Sequence, residues 1–148
     1  MEKILISRCL LGINCKYNGK NNYIDLVEKL KERYELISIC PENDGGLSIP
    51  RAPSERVLNK VISINGVDVT NEYNKGANIA LNLAKKYNIT KAILKDGSPS
   101  CGKNYIYDGS FSHTKIKALG VTTELLTKNN IKVYTENEIE KLLEDSWK

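Results

Sequence analysis

Short apolar runs alternate with longer amphipathic stretches along this chain. Lys3 to Ser7 (KILIS), Glu35 to Ile39 (ELISI), Ala92 to Lys95 and Ile131 to Tyr134 are short and rich in Ile, Leu and Val. That is the pattern of strands buried on both faces. Between them, apolar positions recur every three or four residues. Ile24, Val27 and Leu30 predict a helix over Tyr23 to Tyr34. Tyr73, Ala77, Ala80, Leu81 and Ala84 predict another from about Asn71 to Tyr87, with Thr70 as its N-cap. A shorter helix is expected over Thr122 to Lys128. The last begins at Thr135, where Thr135-x-x-Glu138 has the form of a capping box and Ile139, Leu142 and Leu143 form the buried face. Strands alternating with helices predict an α/β fold of three layers. Its central sheet is mainly parallel, of the Rossmann-like, doubly wound kind.

Val57 to Thr70 breaks the alternation. Asn65-Gly66 lies between Val61–Ile64 and Val67–Val69, the signature of a type I′ hairpin. A β-hairpin is therefore expected between the second strand and the second helix. It should pack away from the main sheet or pair at its edge.

The 148 residues suit one domain spanning 1–148. A chain of this size buries roughly two-thirds of the surface exposed when unfolded. No apolar run approaches the ~20 residues of a membrane helix, so no membrane partner is expected. The opening Met1 to Ser7 enters a strand-like run without a signal-peptide core, and a cytoplasmic location is expected. Lys and Arg number 22 against 18 Asp and Glu, a net charge of +4. That is too small to demand nucleic acid but suits an anionic ligand.

The candidate chemistry lies in four cysteines, Cys9, Cys15, Cys40 and Cys101. A reducing compartment disfavours a disulfide framework. There is no CxxC pair, and the one histidine, His113, excludes a His-rich metal site. Cys9 follows the first strand, Cys40 the second and Cys101 the third. In an open parallel sheet all these strand ends lie on one edge, where ligands bind. Three thiols from distant segments are thus expected to converge there; burial as small packing residues is the plain alternative. Three thiolates suit zinc with a further ligand, or an iron–sulfur cluster with one iron left open. By spacing alone, Cys15 is either a fourth ligand or a packing residue.

The surrounding residues suit a site. Ser98-Pro99-Ser100-Cys101-Gly102 gathers hydroxyls and a rigid turn beside one thiol. Glu42, two residues after Cys40, can position or deprotonate a water, and Asp44 follows it. Arg8, Arg51, Lys95 and Lys103 bring positive charge, Arg51 within the stiff Pro50-Arg51-Ala52-Pro53. Solvated turn residues are the alternative for each. His113 is expected at the surface.

Motifs along nearly the whole chain resemble the thiouracil desulfidases, catalogued as domain of unknown function 523. They are Ser7-x-Cys9-Leu10-Leu11-Gly12 with Cys15-Lys16-Tyr17-Asn18-Gly19; Cys40-Pro41-Glu42 with Gly45-Gly46-Leu47 and Pro50-Arg51; Gly66-x-Asp68-Val69-Thr70; Lys95 with Ser98-Pro99-Ser100-Cys101-Gly102; Ile106-Tyr107-Asp108-Gly109-Ser110-Phe111; and Gly120-Val121-Thr122. The resemblance implies a [4Fe–4S] enzyme that converts a 4-thiouracil derivative to uracil and sulfide without net redox change. It implies Cys9, Cys40 and Cys101 as cluster ligands, an open iron for the substrate sulfur, and Cys15 outside the ligand set. It also implies catalytic roles for Glu42 and for Ser100, with Ser98 as the rival hydroxyl. The substrate is expected as the free base, a thiouridine nucleotide or thiolated tRNA. Pro99 of the Ser98-Pro99-Ser100 turn is expected against the ring, and Arg51 or Lys103 near a phosphate. Asn43-Asp44 and Lys95-Asp96-Gly97 depart from many relatives, which bears on substrate fit.

Three other classes stay open at this point, one of them an RNA-binding subunit that presents tRNA, against which the +4 charge and the lack of an Arg-rich stripe argue weakly. An electron-transfer or redox-sensing iron–sulfur protein would use Cys15 to close the cluster. A zinc-stabilised binding module would carry no chemistry.

Overall fold

The computed structural model describes residues 1–145; residues 146–148, the end of the expected single domain, lie outside the described residues. The strands are β1 (Glu2–Ser7), β2 (Tyr34–Ile39), β3 (Ser54–Val57), β4 (Lys60–Ser63), β5 (Lys91–Leu94), β6 (Ile106–Tyr107), β7 (Lys115–Ile116) and β8 (Lys132–Thr135). The helices are α1 (Val27–Lys31), α2 (Pro41–Asp44), α3 (Thr70–Lys86), α4 (Val121–Lys128) and α5 (Ile139–Asp145).

The central sheet has the order β2-β1-β5-β8 and is parallel throughout. Ile4, Leu5 and Ile6 of β1 have no exposed surface, because helices cover both faces. Val27, Leu30, Ile139 and Leu142, from α1 and α5, pack on one face. Ala80, Leu81, Ala84 and Leu126, from α3 and α4, pack on the other. The chain leaves β1 toward β2 and later returns to β5 on the other side of β1. The switch point of the doubly wound sheet is therefore the C-terminal end of β1.

The inserted hairpin is a separate two-stranded sheet, β3 with β4, seated on α3 through Val61, Val69 and Tyr73. It begins earlier than the sequence pattern suggests. Its ladder pairs Ser54 with Ser63 and Val57 with Lys60 around Leu58-Asn59. Leu58 adopts a φ of +54°, a conformation that its side chain does not advertise. The Asn65-Gly66 turn is also present, attaching residues 67–69 through the Ile62–Asp68 bridge. It is not type I′, since Gly66 has positive φ and Asn65 does not. Ser63 N–H donates to Val67 O across a three-residue loop, a hairpin closed by a glycine bulge.

The first helix is shorter than its periodicity predicts. Asn22 N–H donates to Cys9 O at 2.9 Å and Ile24 N–H to Leu10 O at 3.4 Å. Residues 22–24 thus run along the loop after β1, and that tertiary pairing displaces the helical turn. The capping box at Thr135 forms as expected, with Glu138 Oε1 accepting from Thr135 N–H at 2.9 Å.

Helix α2 is fixed by two glycines. A Cβ on Gly76 would lie 1.9 Å from Pro41 O, and one on Gly45 2.1 Å from Glu72 O. The α2 and α3 backbones therefore touch where no side chain can stand between them. This contact sets the position of Glu42, carried by α2.

Candidate active site

The register of the sheet brings the thiols together. Ser7 pairs with Ile39 at the ends of β1 and β2. Cys9 and Cys40 leave the sheet two residues and one residue later. Lys95 N–H donates to Ser7 Oγ at 3.0 Å, which ties the start of the Cys101 loop to the same level. Cys9, Cys15, Cys40 and Cys101 all line one cleft of about 480 Å³ at the switch point.

The sulfurs are held by hydrogen-bond donors. Ser7 Oγ is 3.8 Å from Cys101 Sγ, and Asn22 Nδ2 is 3.4 Å from Cys9 Sγ. Cys15 is buried in the same cleft, and its thiol interacts with those of Cys9 and Cys40. That contact lowers the Cys9 pKa despite burial. It also brings Cys40 down to about 7, helped by Asn43 N–H and by Arg51 against the opposing effect of burial. The Cys15 thiol is driven far up, because it is the donor to both neighbours. Burial pushes Cys101 up to about 12, and the negative charge of Glu42 adds to it.

Glu42 reaches the cleft from α2. Its Oε1 accepts from Tyr73 Oη at 2.6 Å and from Arg51 Nε at 3.4 Å. Among the described residues its Oε2 takes no protein donor. Arg51 also donates to Cys15 O at 3.0 Å and Ser48 O at 3.3 Å. Its guanidinium therefore ties the Cys15 loop to Glu42. Asp44 faces Arg8, with both oxygens in ion-pair contact.

The loop carrying Cys101 is organised by Asp96. Its carboxylate accepts from Gly97, Lys103 and Asn104 N–H and from Asn104 Nδ2, and those bonds outweigh burial to lower its pKa. Ser98 Oγ accepts from Ser100 N–H at 3.0 Å and Cys101 N–H at 2.8 Å. Ser98 and Pro99 line the cleft; Ser100 does not. Ser100 has no exposed surface, and its hydroxyl is 2.7 Å from Thr122 Oγ1 in the core. That geometry favours Ser98 for the hydroxyl role. Lys103 also stands outside the cleft, because its ammonium is bound to Glu138 at 2.8 Å.

Several cleft residues were missed by sequence reasoning. Lys16, Tyr17, Tyr105 and Tyr107 line it, and the exposed His113 joins them, its ring 6.4 Å from that of Tyr107. Lys16, Tyr17 and Tyr107 stand within the motifs that carry the family resemblance, whereas Tyr105 is found only from the path of its loop. Lys95 lines the cleft as expected, with Nζ 2.7 Å from Glu136 Oε2. Burial opposes its charge, but Glu136 outweighs that and raises its pKa.

Among the described residues no group of three His, Cys, Asp or Glu is arranged to hold a single metal ion. The donor set instead suits a larger sulfur-bound group. Thiolate is the ligand of iron–sulfur clusters, hydrogen bonds to sulfur support the anionic form, and Arg51 and Lys95 add positive charge. The buried Cys101 needs such a partner to ionise.

Comparison with known proteins agrees with this chemistry. The chain is 42% identical over 150 residues to a protein of Bacillus subtilis (strain 168) described only as uncharacterized protein YbbK, covering 95% of this chain and 99% of that one. Its fold matches that of the [4Fe–4S]-dependent thiouracil desulfidase TudS with a TM-score of 0.93 and 39% sequence identity, over 97% of this chain and 96% of that one. The model of the 2-thiouracil desulfurase family matches residues 4–138. That match spans most of the chain, and the chain belongs to the 2-thiouracil desulfurase family.

Proposed function

We propose that this enzyme desulfurates a 4-thiouracil derivative by attack of water at the thiocarbonyl carbon, with the chain's own groups handling the water and the pyrimidine. The observation that carries this is the meeting of four thiols with Glu42 in one cleft. Cys9, Cys40 and Cys101 would hold a [4Fe–4S] cluster, with no fourth cysteine in the ligand set. When bound, that cluster supplies a soft Lewis acid for the thiocarbonyl sulfur.

Glu42 accepts the proton of the attacking water at Oε2, since Oε1 is occupied by Tyr73 and Arg51. A carbon–oxygen bond forms and the carbon–sulfur bond breaks. Sulfide leaves with its electron pair, so no reductant is consumed. Ser98 accepts two backbone N–H groups and keeps its own proton to donate to the pyrimidine edge. Pro99 packs beside the ring. The tyrosines at the mouth provide aromatic surface for it.

The family name specifies 2-thiouracil, and we take the 4-thio position as the one attacked here. A nucleotide is favoured over the free base or thiolated tRNA. Lys16, rather than Lys103, is the cation for its phosphate: it lines the cleft and has no ion pair among the described residues. Arg51 is already bonded to Glu42, Cys15 and Ser48. No helix among the described residues is long and apolar enough to cross a membrane.

The test is anaerobic cluster reconstitution. Loss of thiouracil absorbance and stoichiometric sulfide release are then followed for 2- and 4-thiouracil, 4-thiouridine monophosphate and thiolated tRNA. Turnover without added reductant is expected. Cys101→Ala should lose iron and activity; Glu42→Gln should keep iron and lose turnover. A fully iron-loaded protein inactive on every substrate refutes the desulfidase reading.

A further inference from the structure

We infer that Tyr73 is a positioning residue for Glu42, holding one carboxylate oxygen so that the other faces the cleft. Tyr73 is 1% exposed and is not part of the cleft wall, so it has no contact with substrate to make. Its hydroxyl donates to Glu42 Oε1 at 2.6 Å, the short distance of a bond to an ionised acceptor. Ser54, which lines the cleft, acts on the phenol in the opposite sense to Glu42 and favours its ionised form. Arg51 Nε meets the same Glu42 oxygen at 3.4 Å. Two donors from α3 and from the Pro50–Pro53 segment thus converge on Oε1.

Helix positions explain why this contact is rigid. Tyr73 stands one turn before Gly76, and Glu42 follows Pro41, whose carbonyl abuts Gly76. The backbone contact between α2 and α3 therefore fixes the distance between hydroxyl and carboxylate. A carboxylate held at one oxygen cannot turn its base away from the cleft. Burial raises the phenol's pKa first, and the negative charge of Glu42 raises it further, so the proton stays on Tyr73. Tyr73 is therefore a fixed donor and not a second base.

The inference rests on the role of Glu42 proposed above, and its test separates the two. In reconstituted enzyme, Tyr73→Phe should lower kcat about tenfold with KM within about twofold and iron content unchanged, because orientation and not binding is lost. On the residual turnover of Glu42→Gln the same change should cost nothing further, since the held group is gone. Equal losses in both backgrounds, or full kcat in Tyr73→Phe, would overturn the positioning role while leaving desulfuration intact. Ser54→Ala keeps the phenol ring in place and should give a smaller loss of the same kind. It guards against a packing defect in Tyr73→Phe. Iron-free protein gives an activity-independent reading. The tyrosine absent from the alkaline titration of Tyr73→Phe should ionise at lower pH in Glu42→Gln, because the carboxylate's repulsion is removed. An unchanged titration means that Tyr73 and Glu42 do not interact, and the inference falls even where the wild type turns over.

Discussion

Arg8 and Asp44 form a two-pronged ion pair, Nη1 to Oδ1 at 3.1 Å and Nη2 to Oδ2 at 3.2 Å. Arg8 precedes Cys9, and Asp44 Oδ2 also accepts from Cys40 N–H at 3.0 Å. The pair therefore fixes the spacing of two thiols while touching neither sulfur. It also removes Asp44 from contention as a base. Both side chains are about one-quarter exposed, which places the pair between surface and buried cases. Arg8→Met should cost about 1–2 kcal/mol of stability. It should lower the iron bound per chain after reconstitution, measured by iron and sulfide assay. Full cluster occupancy in Arg8→Met would show that the cysteine loops hold their spacing without it.

The backbone contact between Gly76 and Pro41 makes a second expectation. Glycine inside α3 costs roughly 0.5–1 kcal/mol relative to alanine, so Gly76→Ala would stabilise an isolated helix. Here the new Cβ would sit 1.9 Å from a carbonyl oxygen. Gly76→Ala should instead destabilise by about 2–3 kcal/mol, as overpacking does, and lower the melting temperature by roughly 5–10 °C. Lys75→Ala, one position earlier and exposed, should change little. Equal melting temperatures for the two variants would contradict the close approach of α2 and α3.

Much of this arrangement is legible in the sequence, and the exceptions have physical causes. Ile4, Leu5 and Ile6 mark a strand covered on both faces, and the four sheet strands follow from such runs. Cysteines just after strands imply convergence, because parallel strands share an edge. Ser98 and Ser100, by contrast, are indistinguishable as letters. One lines the cleft and the other faces Thr122, a choice made by the close approach of α4 to the loop. Tyr73 looks like any core residue on an apolar helical stripe; only the docking of α2 reveals what its hydroxyl meets. Cys15 lies in a loop with no strand to locate it. Contacts from distant segments hold it in place: Arg51 Nη2 and Cys40 Sγ both donate to Cys15 O.

The thiol pKa values predict an order of reactivity in iron-free protein. Cys40 is held at about 7 and Cys101 at about 12. The nucleophile is the thiolate, so alkylation of Cys40 should rise from pH 6 and level off above pH 8. Cys101 should stay unmodified throughout that range. Peptide mass spectrometry after timed iodoacetamide treatment reads both sites. The main cause of the Cys40 depression is the Cys15 hydrogen bond, so Cys15→Ala should move the Cys40 profile upward in pH. Cys15→Ser bears on ligation. A reconstituted Cys15→Ser protein should keep its iron, and loss of the cluster would favour a closed four-cysteine site with an electron-transfer or sensing role.

Ser98 and Ser100 give the sharpest contrast. Ser98 Oγ accepts two backbone N–H groups of the Cys101 loop and faces the cleft. Ser98→Ala leaves those donors unmet and removes a proton donor to the substrate. It should therefore lower both iron retention and kcat, the latter by about tenfold or more. Ser98→Thr retains a hydroxyl and should recover part of the loss. Ser100→Ala removes a partner of Thr122 in the core, so its cost should appear as about 1–2 kcal/mol of stability with kcat kept. Comparing melting temperature, iron content and kcat for the three variants distinguishes these roles. If Ser100→Ala abolishes turnover at full iron content and Ser98→Ala does not, the catalytic hydroxyl is Ser100. In that case the buried bond to Thr122 must open during the reaction.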